Sequence, residues 1–283
     1  AYGNGPTTKG VAIAIAQHTT RLPINVNIVG GEFSGVVAFS EKDPQDGEAK
    51  DITINITGGK FTSTDKSENK QIVVSDDIKG FISGGEFDDK PADDYIADGY
   101  CYSNRKIAKV QGTVKIGDKN VKIANISDVA DIDSKNITVD VEKDSSLTLD
   151  NGFFNEENNN GNSKDISLIG KLDSHNNPVS TVDIAKESTV AEGAKHLNYQ
   201  RGSVFTFENL TIVNGTDTYD GIVCDELVYK NCVIKGVTTL YGKATFINCT
   251  FENDMANQYS IWTWGGTDVT FENCTFNTNG KAI

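Results

Sequence analysis

Apolar and polar residues alternate along much of this chain, in short runs that end on glycine or asparagine. "INVNIVGGEF" (residues 24–33), "ITINITGGKF" (52–61) and "GFISGGEF" (80–87) each carry such a run, then Gly-Gly, a charged residue and Phe. Alternation at period two predicts a half-buried strand. Glycines at its end supply the left-handed backbone of a sharp bend, and the phenylalanine just past the bend can turn back toward the core. The glycine pairs begin at Gly30, Gly58 and Gly84, in steps of 28 and 26 residues. Repeats of that length with a strand in every unit predict a β-solenoid.

The C-terminal part repeats differently. "FTFENLTI" (205–212), "LVYKNCVI" (227–234), "ATFINCTF" (244–251) and "VTFENCTF" (269–276) align on Asn209, Asn231, Asn248 and Asn273, with steps of 22, 17 and 25 residues. Phe207, Tyr229, Phe246 and Phe271 precede the asparagine by two. Leu210, Cys232, Cys249 and Cys274 follow it, and Ile212, Ile234, Phe251 and Phe276 close the unit. With the aromatic inward, the next residue faces out and the asparagine takes the corner. Asparagine tolerates left-handed backbone there, and its amide can bond to its copy one coil away. The cysteines then fall in the core as small hydrophobes. Leucine at the same place in the first repeat argues against a need for sulfur. Free buried thiols fit best; a single disulfide and a metal site are the alternatives, although there is no Cys-x-x-Cys pair and His18, His175 and His196 are scattered.

Between the two repeat regions the strand rhythm lapses. "KPADDYIADGYCYSN" (90–104) reads as the terminator of a first solenoid, which gives two segments, 1–105 and 106–283. The second restarts with expected strands at 113–116, 137–141 and 146–149. A short amphipathic helix near 126–132 would cover its open end, since an uncovered coil exposes an unpaired strand edge. "NEENNNGNSK" (155–164) is a polar loop. The final "NTNGKAI" reads as the start of a further strand, so the chain is expected to be a fragment of a longer protein.

Composition and charge narrow the function classes. The 26 basic and 40 acidic residues give a net charge of −14. Without a basic stripe, nucleic acid is not an expected partner. No apolar run approaches the roughly 18 residues of a membrane span; "VAIAIA" (Val11–Ala16) is an alternating strand. A monomer is expected.

"FTFENLTIVNG", "ATFINCTF", "SIWTWGGTDVTFENCTFNTNGKAI" and "ISGGEFDDKPADDYIADGY" resemble adhesin-like secreted surface proteins of Gram-positive gut bacteria, which contain right-handed parallel β-helices of the pectin-lyase-like type. "KIGDKNVKIANISDVADI" looks like the leader that opens a new β-helix in such proteins. The resemblance implies an all-β, right-handed parallel β-helix with an asparagine ladder at its second turn. It also implies secretion and display at the bacterial cell surface.

Enzymes of that superfamily use acidic residues on one sheet face, and the lyases add calcium and a basic residue. Here Arg21, Arg105 and Arg201 stand apart from acidic clusters, and no carboxylate pair has a glycosidase spacing. No catalytic residue is assigned. Asp217, Asp220 and Asp225, with Glu226, are calcium candidates in an acidic loop, for which solvation is the simpler reading. The stretch with a binding character is "YSIWTWGG" (259–266). In a strand Ile261 and Thr263 share one face, while Trp262 and Trp264 share the other about 7 Å apart. Two exterior indoles near Tyr259 would stack on sugar rings or anchor a protein contact; packing inward, or covering the end of the helix, is the structural alternative. The expected function is therefore a non-catalytic extracellular module that binds a glycan or host protein. A polysaccharide lyase or glycoside hydrolase and a passive stalk are the alternatives.

Overall fold

The computed structural model describes residues 10–16, 22–42, 51–65, 71–130, 132–149, 164–184, 197–214, 221–263 and 265–283. The chain is almost entirely β and makes about eight turns of right-handed parallel β-solenoid. It divides into two compact units, Ala1–Val110 and Gln111–Ile283, each with its own apolar core.

In the first unit, Val11–Ala16, Val37–Lys42 and Ile72–Val73 form one parallel sheet, and Ile24–Gly35, Ile52–Ser63 and Glu86–Phe87 form another. The third glycine pair, Gly84 and Gly85, stands before the short strand Glu86–Phe87, but the first two pairs lie inside strands where the pattern predicts strand ends. Strand pairing runs through these two, with register shifts at Ile28, Val29 and Glu32. The second glycine of each pair takes the positive φ, at Gly31 (103°), Gly59 (101°) and Gly85 (105°). In the second and third pairs the first glycine is needed for space, whereas a Cβ on Gly30 would meet nothing: one on Gly58 would lie 2.4 Å from the Val29 carbonyl oxygen, and one on Gly84 would lie 2.2 Å from that of Thr57.

Past the bend, Phe33, Phe61 and Phe87 stack inward with ring centroids 5.1 and 5.0 Å apart. The charged residue of the motif forms an exterior column of alternating sign, Glu32, Lys60 and Glu86, in strand register. A hairpin terminates the unit. Tyr100–Ser103 and Lys106–Lys109 pair antiparallel, and Lys106 pairs with Glu86. Its two-residue turn, Asn104 (φ 49°) and Arg105 (φ 64°), has the positive dihedrals of a type I′ turn, whose twist suits a tight hairpin.

The second unit begins with an antiparallel hairpin, Gly112–Ile116 with Lys119–Ile123, laid against Asn136–Val141. The amphipathic helix expected near 126–132 is a single 3-10 turn, Ile126–Val129. At three residues per turn, Ile126 and Val129 fall on one side and both are buried. Asn125 caps the turn by accepting from the Ser127 amide at 2.9 Å, and Asp128 accepts from the Ala124 amide at 2.8 Å.

The coils then stack in parallel register. One face carries Asn136–Val141, Asp165–Ile169, Leu197–Glu208, Gly221–Lys230, Lys243–Ile247 and Val269–Glu272. The next carries Ser146–Leu149, Thr181–Ile184, Thr211–Val213, Val233–Lys235, Thr250–Asn253 and Thr275–Thr278. In the later coils a third face forms from the starts of Leu197–Glu208 and Gly221–Lys230 with Thr238–Leu240 and Ile261–Thr263.

The corner between the first two faces is the asparagine ladder. Asn209, Asn231, Asn248 and Asn273 have φ of 58°, 53°, 53° and 51°. Each amide donates to the Oδ1 of the one before it, at 3.2, 3.1 and 3.4 Å. Inside the corner Phe207, Tyr229, Phe246 and Phe271 stack at 4.8, 4.8 and 5.3 Å. Cys232, Cys249 and Cys274 are free thiols in register with Leu210. Each thiol lies within reach of two carbonyls: that of the residue two before it, and that of the stacked aromatic one coil below. Cysteine thus fills a leucine-sized place while offering a weak donor to otherwise crowded backbone oxygens.

Candidate ligand-binding surface

Of the three aromatic residues singled out in the sequence, Tyr259 and Trp262 lie close together; Trp264 lies outside the described residues. Ile261 points inward and is 1% exposed, and Trp262 is half-buried on the outer side. Trp262 stands in register with the fully buried Thr239 of the preceding coil. Thr263 is exposed rather than sharing the inward face with Ile261, because the strand stops there and the chain turns at Gly266 (φ 86°). The Tyr259 ring meets the indole edge-on, centroids 4.9 Å apart, a geometry the ring quadrupoles favour.

A third member was not visible in the sequence. Lys281 Nζ stands 4.6 Å from the Tyr259 ring centre and donates to its hydroxyl at 2.9 Å. Residue 281 reaches that place by backbone pairing. The Lys281 amide donates to the Gln258 carbonyl, and the Ser260 and Ile261 amides donate to the carbonyls of Lys281 and Ala282. Gly280 permits the approach, since a Cβ there would lie 2.2 Å from the Gln258 carbonyl oxygen. On the other side Asn253, 2% exposed, donates to the Tyr259 carbonyl at 3.0 Å and accepts from the Met255 amide at 3.0 Å. The only sequence sign of Lys281's role is the glycine before it.

The cluster combines apolar ring faces with hydrogen-bonding groups. It offers two aromatic bodies, a phenol and one ammonium, held by backbone rather than by long side chains.

The calcium candidates divide between described and undescribed residues. Asp217 and Asp220 lie outside the described residues. Asp225 is exposed within the strand Gly221–Lys230 and accepts from the Gly202 amide of the neighbouring strand at 3.0 Å, which makes it part of the coil-to-coil bonding. Among the described residues no group of three or more His, Cys, Asp and Glu side chains is placed to hold a metal ion. Of the arginines, Arg105 pairs with Asp88 beside the terminal hairpin, and Arg21 lies outside the described residues.

Cys224, Cys232 and Cys274 are poor nucleophiles where they stand, whereas the hydrogen bond with Cys232 holds Cys249 below the ordinary thiol value. Burial pushes Cys224 up to about 12 and Cys232 well above the ordinary thiol value. Burial also raises Cys274, by less complete coverage. A thiol held protonated neither attacks nor binds metal readily.

Comparison with protein-family models, curated proteins and solved structures finds no match to this chain.

Proposed function

We propose that this protein is a non-catalytic extracellular module of the adhesin-like β-helix kind, which binds a glycan or a host protein through the surface around Tyr259, Trp262 and Lys281. The observation that carries the reading is the edge-on Tyr259–Trp262 pair with Lys281 at its rim. A half-buried aromatic pair beside a hydrogen-bond donor suits the apolar face and hydroxyl edge of a sugar ring, or the centre of a protein contact. Secretion and surface display follow from the sequence resemblance. Among the described residues no helix is long and apolar enough to cross a membrane.

The test is a glycan and host-protein array, probed with the wild type, Trp262→Ala and Trp262→Ala/Trp264→Ala, each first shown to be folded by circular dichroism. A ligand retained by the wild type and lost by Trp262→Ala supports the reading. Silence from every folded form would leave a passive spacer between other domains as the better account.

A further inference from the structure

In the second coil the ladder corner is missing. Where later coils place one asparagine between two strands, this coil runs from Asp165–Ile169 through Gly170 into a ten-residue finger, residues 171–180, before Thr181–Ile184. Gly170 lies tight under the ladder, since a Cβ there would stand 2.3 Å from the Asn209 carbonyl oxygen. The finger therefore turns outward and leans along the corner.

It is a built element. Leu172 bridges Pro178 antiparallel, and the Val179 amide donates to the Lys171 carbonyl at 2.9 Å. At the tip the Asp173 carboxylate accepts from the His175 and Asn177 amides, both at 2.8 Å, and from Asn177 Nδ2 at 3.1 Å. At the base Ser180 Oγ accepts from the Lys171 amide and donates to the Val141 carbonyl.

Between finger and ladder lies a groove of about 420 Å3, in the size range of ligand clefts. Leu172, Asn176 and Pro178 form its wall. Its floor is the corner of two successive coils, Asn231 with Val233 and Asn248 with Thr250. Val233 and Thr250 are in register and face outward. Among the described residues that line the groove, none carries a charged side chain.

The ladder leaves the floor with unused hydrogen-bonding capacity. Asn231 gives one N–H to Asn209 and accepts one from Asn248; Asn248 gives one to Asn231 and accepts one from Asn273. A primary amide has two N–H donors and two lone pairs, so each keeps one of each on an exposed side chain. That donor–acceptor pair recurs at the spacing of the coils, about 4.8 Å. A secondary amide is its complement, because it presents one donor and one acceptor. The apolar Leu172, Pro178 and Val233 suit a methyl group and a ring face.

We propose that this groove is a second binding site, which takes an uncharged, extended glycan carrying acetamido groups, with successive sugars laid along successive coils. An uncharged ligand also suits a protein of net charge −14. The proposal deepens the binding-module reading and names a surface on a different part of the coil from Trp262.

The experiment is a titration of 15N-labelled protein with the tetramer of β-1,4-linked N-acetylglucosamine, with the β-1,4-glucose tetramer as the control lacking acetamido groups. The expected result is shifts in the side-chain amide signals of Asn176, Asn231 and Asn248. Leu172→Ala, at an exposed position (37%), and Thr250→Lys, which fills the floor, should each weaken binding about tenfold. Ile116→Ser, at an exposed position (41%) that lines neither the groove nor the aromatic surface, should bind as the wild type does. Equal affinity for the two tetramers would overturn the acetamido class. Shifts confined to Tyr259 and Trp262 would overturn the groove while leaving the aromatic surface as a binding site. No shift anywhere at millimolar tetramer would also overturn it.

Discussion

At the corner of the first unit Gly31, Gly59 and Gly85 stand near φ 100°, whereas at the corner of the second the four ladder asparagines stand between 51° and 58°. The first value lies outside the left-handed region that asparagine visits; the second lies within it. The glycine corner also brings backbones so close that no Cβ fits at Gly58 or Gly84. Its coil-to-coil contact is therefore moved two residues on, to the Phe33, Phe61 and Phe87 stack. The asparagine corner keeps a side chain, which makes the coil-to-coil contact itself and leaves polar groups facing solvent. Two ways of making one bend thus yield a bare ridge in one unit and a chemically equipped edge in the other.

Substitutions at the corners test that contrast most severely. Gly84→Ala should cost about 4 kcal/mol or more, because backbone rather than a flexible side chain must give way. Hydrogen exchange should report it as lost protection in Ile52–Ser63 while the second unit keeps its own protection. Retained protection would mean that the glycine corner is not sterically obligatory.

Asn248→Ala should cost about 2–3 kcal/mol, combining left-handed strain with the two ladder bonds it severs. Asn248→Gly removes the bonds but not the backbone compatibility and should cost only about 1 kcal/mol. Urea denaturation of the pair separates the terms, and equal losses would show that the ladder bonds alone stabilise the corner.

The thiol stack makes a kinetic prediction. In native protein at pH 8, mass spectrometry after iodoacetamide should find Cys274, which is half-buried, modified before Cys224, Cys232 and Cys249. All five should react once the chain is unfolded. A thiol that stays unreactive in denaturant without reductant would mean a disulfide.

The smallest effect concerns the finger. The amide and side chain of Asn177, and then the His175 amide, hold the Asp173 carboxyl below its ordinary value. Its contribution is present in full above the unfolded aspartate range and is lost as pH falls through the lowered folded value. Exchange protection of the His175 and Asn177 amides should therefore persist at neutral and mildly acid pH and fade only below the usual aspartate range. Fading already between pH 7 and 5 would contradict the assignment.

Much of this fold was legible in the sequence because repetition marks equivalent positions. Four copies of one pattern were enough to place Asn231 at a corner and Phe246 in the core, since any other phase would bury charge somewhere. The strands at 137–141 and 146–149 follow from alternation alone. What occurs once was not legible. The finger at 171–180 interrupts the repeat with turn residues, but nothing in it says which way it leans. The hairpin turn at Asn104 and Arg105 lacks the glycine that usually signals such a turn. Lys281 comes to Tyr259 across 22 residues, a proximity set by how coils stack rather than by local pattern. Thr238–Leu240 and Ile261–Thr263 are only three residues long, too short for a period to declare itself.

Because the ladder bonds run from coil to coil, they also set how the second unit would carry a mechanical load. Tension along the stack would detach one coil at a time, since each coil holds only its neighbours. Each detached coil would pay out the 17 to 25 residues between ladder positions, roughly 60–90 Å of extended chain. Single-molecule pulling would then record a sawtooth, each tooth ending when one more asparagine leaves its rung. The same rung would be the place where the coil re-docks when the force is released, so the edge that equips the surface would also make the unit an extensible, self-resetting tether.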